Sequence, residues 1–165
     1  MILRCTKKLL AIIGPSLAAE PAPAPNGEDW YANLLWFNGR KCLLLAHSAT
    51  LFSIFEADVR AADLRATGLL VTRLIRRELR SEGLPPSTFA DPDPERVILA
   101  KTADRSVLGC MNDMAFLCEH AISGSGGLQS TDIAALNRSL RRNVNSARGY
   151  RPPIQLTIAR LAAQR

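Results

Sequence analysis

The stretch WYANLLWFNGRKCLLLAH, residues 30–47, decides how the rest of the chain is read. Two apolar, β-prone runs flank Asn38-Gly39, the strongest short hairpin signal, because both residues tolerate the positive φ of a type I′ turn. The spacing predicts strands over 30–37 and 40–47. A third run, TLFSIF at 50–55, follows Ser48-Ala49 and extends the hairpin into an antiparallel meander.

Toward the amino terminus, residues 2–6 read as a short strand entering a helix over 7–13, which Gly14-Pro15 stops. The opening can be misread as a secretory signal, since Lys7-Lys8 precede an apolar run and Ala18-Ala19 mimic a cleavage site. That run is short, however, and Ile2 and Leu3 stand before the charges, which suits a first strand better. EPAPAPNGED, 20–29, is a stiff, exposed, proline-rich loop.

Toward the carboxyl terminus, 58–82 has helical periodicity, with Leu64, Val71, Leu74, Ile75 and Leu79 forming a buried stripe. A loop over 83–95 carries Asp91, Asp93 and Glu95, and RVILAK at 96–101 is β-like. Thr102 or Asp104 can cap a helix over 106–122, and 123–130 is a flexible link. Ser130 can cap a helix over 131–143, and Pro153 can open a last one over 154–163. The expectation is one α+β domain over 1–165: a small, mainly antiparallel sheet from 2–6, 30–37, 40–47, 50–55 and 96–101, packed against four or five helices.

A chain of 165 residues, 47% of them hydrophobic, can bury a core of its own. It has no apolar run of eighteen, so no membrane helix is expected. Cys5, Cys42, Cys110 and Cys118 form no C-x-x-C pair and sit in apolar segments, where a reduced cysteine is a small hydrophobe. His47 and His120 lack ligand-spaced neighbours, so no metal is expected. No nucleotide-loop, Rossmann, zinc-protease or nucleophile-elbow pattern occurs, and no cofactor is expected. These features fit a soluble, cytoplasmic protein.

Charge is distributed unevenly. The formal net charge is +6, the last acidic residue is Asp132, and beyond it come Arg138, Arg141, Arg142, Arg148, Arg151, Arg160 and Arg165. Such a segment attracts polyanions or an acidic partner, or forms a solvated helix surface. Arg73, Arg76, Arg77 and Arg80 recur at i, i+3, i+4 and i+7, so they share one helix face that can track phosphates or simply face water. Arg4 and Lys7, with Thr6 and Lys8, lie where a strand enters a helix, a geometry suited to an anion.

CMNDMAFLCEH at 110–120 places Asn112, Asp113, Glu119 and His120 opposite an apolar arc. Asp113 and His120 can act as a general acid–base pair, and the competing reading leaves Asn112 and Asp113 binding loop backbone and His120 on the surface. Asn33 is unusual inside a strand and marks a bulge, a hydrogen bond to a loop, or a site residue. If Arg4, Asn33, Asn112 and Asp113 share a pocket, the enzyme reading gains.

Read together, MILRCTKKLL, DWYANLLW, RKCLLL, TLFSIF, DRSVLGCMNDMAF and GYRPPI resemble a small bacterial family classed only as a domain of unknown function. The resemblance runs nearly end to end, with the proline-rich stretch and 83–94 fitting least. It implies that residues 1–6 belong to the fold, and it brings no activity, cofactor or catalytic residue.

Three functions remain open. One is a nucleic-acid-associated, RNA-directed accessory protein using Arg73–Arg80 and the basic carboxyl-terminal arginines. Another is a small ribonuclease-like or nucleotide-directed enzyme, with Asp113 or His120 as acid–base and Arg4, Lys7 or Arg105 stabilising an anion. The third is an interaction module that docks an acidic protein.

Overall fold

A computed structural model describes residues 1–90 and 92–163. The sheet is mixed and five-stranded, built from β1 (Ile2–Cys5), β2 (Trp30–Phe37), β3 (Arg40–His47), β4 (Ser53–Glu56) and β5 (Ile98–Lys101), in the order β4-β3-β2-β1-β5. β2, β3 and β4 form the antiparallel meander, whereas β1 lies parallel to both β2 and β5. Asn38 and Gly39 both take positive φ, 50° and 73°, as the hairpin turn requires.

Among the described residues six α-helices complete the α+β arrangement: α1 (Lys7–Ile13), α2 (Ala61–Arg65), α3 (Thr67–Ser81), α4 (Arg105–Gly124), α5 (Ile133–Arg142) and α6 (Pro153–Ala163). Strand alternation sends side chains to two cores. Trp30, Ala32 and Leu34 join Leu9, Leu64, Val71 and Ile75 on the face covered by α1, α2 and α3. Tyr31 joins Met111, Cys118, Leu136 and Leu140 on the face covered by α4 and α5. All four cysteines are buried and unpaired, and burial pushes the thiols of Cys5 and Cys118 up to about 12. Among the described residues no helix is long and apolar enough to cross a membrane.

Three local expectations shift. The last meander strand starts at Ser53, not at Thr50, because Leu51 turns the chain in the left-handed region and donates its N–H to the His47 carbonyl. The helix expected over 58–82 is two helices that break at Ala66. Just past the break, Gly68 lies so close to Pro94 that a Cβ there would collide with the Pro94 carbonyl oxygen. α5 is capped by Asp132, whose carboxylate accepts from the Ala135 N–H, while residues 128–130 form a separate 3₁₀ turn. Asp104 caps α4 in the same way, accepting from Ser106 and Val107.

Candidate nucleic-acid interface

The basic segment that looks most prominent in the sequence is largely internal wiring. Arg141 is fully buried and donates to Glu78 at 2.9 Å and to Glu82 at 2.8 Å. Arg142 forks onto the same Glu82, at 2.7 and 3.0 Å. The Arg142 hydrogen bond, joined by Arg141, holds the Glu82 carboxyl below its ordinary value against the opposing effect of burial. Arg148 ties down the carbonyls of Ser48 and Ala49, and Arg160 pairs with Glu28. Arg138 and Arg151 remain exposed, and Arg165 lies outside the described residues, as does Asp91 of the acidic loop.

Arg4 is likewise inside, 1% exposed. Its guanidinium meets Asp29 at 2.5 Å, Pro23 O at 2.6 Å and Lys101 O at 3.3 Å, so it pins the proline-rich loop across the ends of β1 and β5. Asn33 accepts a hydrogen bond from the Thr6 hydroxyl at 3.0 Å, which explains an asparagine within β2. Lys7 and Arg105 are exposed at the carboxyl ends of β1 and β5, where α1 and α4 leave toward opposite faces of the sheet.

Asn112, Asp113 and His120 are exposed on α4. Seven residues of helix separate Asp113 from His120 by about 10 Å along the axis, and among the described residues neither side chain makes a hydrogen bond or ion pair. Asp113 lines a cavity of about 280 Å³ with Asn145 and Tyr150, and that cavity includes neither Arg4, Asn33, Asn112 nor His120. The four residues whose convergence favours an enzyme are therefore not joined in it.

The arginine face of α3 behaves differently. Arg73, Arg76, Arg77 and Arg80 all line one groove of about 720 Å³, with Leu69 and Leu70 beneath them and Pro94 and Asp63 at its walls. Helical spacing put these residues on one face, but the wall comes from the distant Pro94 segment pressed against Gly68. The four arginines are not equivalent. Arg77 donates to both oxygens of Glu56, at 2.7 and 3.3 Å, and to Glu78 at 2.8 Å. Burial opposes its charge, but the hydrogen bonds and charges of Glu56 and Glu78 outweigh burial and hold its pKa above the ordinary value. Arg76 donates to Pro92 O at 2.9 Å. Arg73 and Arg80 are exposed and, among the described residues, have no carboxylate partner.

The sequence signalled this face through its period. It could not signal the exposed Leu69 as part of a groove floor, since an isolated exposed leucine is ordinary.

No curated protein and no solved structure matches this chain. Residues 2–156 match the family described as a domain of unknown function (DUF6933), in line with the end-to-end resemblance of its motifs, and the chain belongs to that family.

Proposed function

We propose that this protein binds nucleic acid, RNA foremost, along the groove of α3. The observation that carries the reading is the pair Arg73 and Arg80, two turns apart on one helix face. Both are exposed, both lack a carboxylate partner among the described residues, and both line one recess. Guanidinium groups so placed match phosphate geometry and displace condensed counterions, which supplies sequence-independent affinity. Four of the carboxyl-terminal arginines are held by partners within the fold, whereas Arg73 and Arg80 are both exposed in one groove, which favours α3 as the place where a polyanion is met.

The test is fluorescence anisotropy of labelled RNA over a salt series, with polyglutamate as competitor. Two to four phosphate contacts give a slope of log K against log salt of about −1.5 to −3 for a single strand. Arg73→Glu with Arg80→Glu should remove binding while the fold persists, since both side chains are exposed. Absence of binding at low salt, or equal occupancy by polyglutamate, refutes the reading. The second outcome would assign the groove to an acidic protein partner.

A further inference from the structure

Resting on that reading, we infer that the occupant of the α3 groove is a single strand whose bases lie on an apolar floor, and not a duplex. Three features of the groove point to this class of ligand.

The arginines line a recess. A protein that binds an RNA duplex lies across its wide, shallow minor groove and contacts the 2′-hydroxyls and phosphates on either side, which needs an unobstructed surface. Here the basic face of α3 is flanked by the Pro94 segment, seated against Gly68 with no room for even a methyl group. The recess is open to solvent along its arginines and, at about 720 Å³, matches a few nucleotides in size.

The floor is apolar. Leu69, 64% exposed, lines the recess together with Ala66, Pro94 and the largely buried Leu70, so the apolar surface there is shared by several residues and is not one isolated leucine. Phosphates gain nothing from such a surface. Unstacked bases do, and they are available only in a single strand, where arginine planes can also stack on them.

The recess continues along the helix. A second cavity of about 260 Å³ shares Arg76 and Arg80 with the first and adds Leu84 and Pro86. The neighbouring cleft between α3 and α5 carries Glu56 and Glu78 beside Arg77 and Arg138, so its charges balance and it offers a phosphate no net attraction. The strand therefore runs lengthwise on α3. From Leu69 to the helix end at Ser81 the rise is about 18 Å, which is at most about five nucleotides at the 3.4 Å spacing of stacked bases.

The deciding experiment measures anisotropy of fluorescein-labelled oligouridylates of 2 to about 12 nucleotides beside an RNA duplex of the longest length. Affinity should rise with length, level off by about five nucleotides, and exceed that for the duplex at least tenfold. Leu69→Ala should weaken the single strand severalfold with an unchanged salt slope, whereas Arg73→Gln should make the slope shallower by about 0.7. Leu69 is mostly exposed, so its truncation leaves the fold intact. A duplex bound as tightly as the single strand, or a Leu69→Ala variant that binds like the parent, overturns this inference and leaves the wider reading standing. Failure to bind either form overturns both.

Discussion

Asn137 satisfies both peptide groups of Phe55, eighty-two residues earlier in the chain: its Oδ1 accepts from Phe55 N at 2.6 Å and its Nδ2 donates to Phe55 O at 2.9 Å. The side-chain amide thus stands in for a neighbouring strand on the outer edge of β4. Arg141, one turn further along α5, reaches the Ser53 carbonyl at 3.2 Å and continues the cover. An edge strand with open peptide groups is a template for unwanted pairing, and here one helix closes it.

Replacing Asn137 with Leu should therefore cost about 2 to 3 kcal/mol, because it leaves a buried donor and a buried acceptor without partners. Urea denaturation of the variant beside the parent gives the number. A change below about 0.5 kcal/mol, the size of an ordinary surface substitution, would show that the amide is dispensable.

Arg141 joins three elements, with Glu78 and Glu82 of the α3 region on one side and β4 on the other. Arg141→Met should cost about 3 kcal/mol, the low end for breaking a buried pair, since Glu78 keeps only the half-exposed Arg77. Glu82 keeps Arg142. Adding Glu78→Gln to Arg141→Met should then recover a large part of the loss, and a double-mutant cycle in denaturant tests it. Simple additivity of the two substitutions would show that the pair is not coupled.

These two relationships mark the limit of what the sequence reveals. The hairpin was legible because Asn38-Gly39 and its flanking runs are local chemistry, and the α3 arginine face was legible because period 3.6 is local geometry. In sequence Arg141 is indistinguishable from a surface arginine, because its partners, Glu78 and Glu82, lie about sixty residues upstream. Arg4 is similar: Asp29 lies across a proline-rich loop whose path no periodicity specifies. The break at Ala66 was equally hidden, since the obstacle beside Gly68 is Pro94, a residue in another segment.

Gly68 sets two effects against each other. In a helix, Ala is favoured over Gly by about 1 kcal/mol, so propensity alone predicts that Gly68→Ala stabilises the protein. A Cβ at this position collides with the Pro94 carbonyl oxygen, and backbone cannot move aside as a flexible side chain can. Overpacking of this kind costs about 1 to 3 kcal/mol, so the net effect should be destabilising. Because the Pro94 segment forms a wall of the α3 groove, the same substitution should also weaken RNA binding. A thermal melt at or above the parent's would show that the segment yields freely.

His47 gives the stability curve its acid limb. The imidazole is fully buried, against Phe89 at 4.3 Å between ring centroids and Trp30 at 5.4 Å. Its Nδ1 receives the Thr50 N–H at 3.4 Å. Burial, assisted by the charge of Arg160, lowers its pKa to about 3, although Glu28 lies 3.9 Å from Nε2 with its carboxylate engaged by Arg160. Above about pH 6.5 the ring is neutral in both folded and unfolded chains and contributes no pH dependence. Between about 6.5 and 3 the unfolded chain takes up a proton that the folded one refuses, so stability falls as pH falls. The expected slope in the middle of that window is about 1.4 kcal/mol per pH unit from this one group. Denaturant midpoints taken from pH 7.5 down to pH 5, before carboxylates titrate strongly, should show it, and His47→Gln should flatten it. A variant whose midpoints fall just as steeply would place the acid sensitivity elsewhere in the protein.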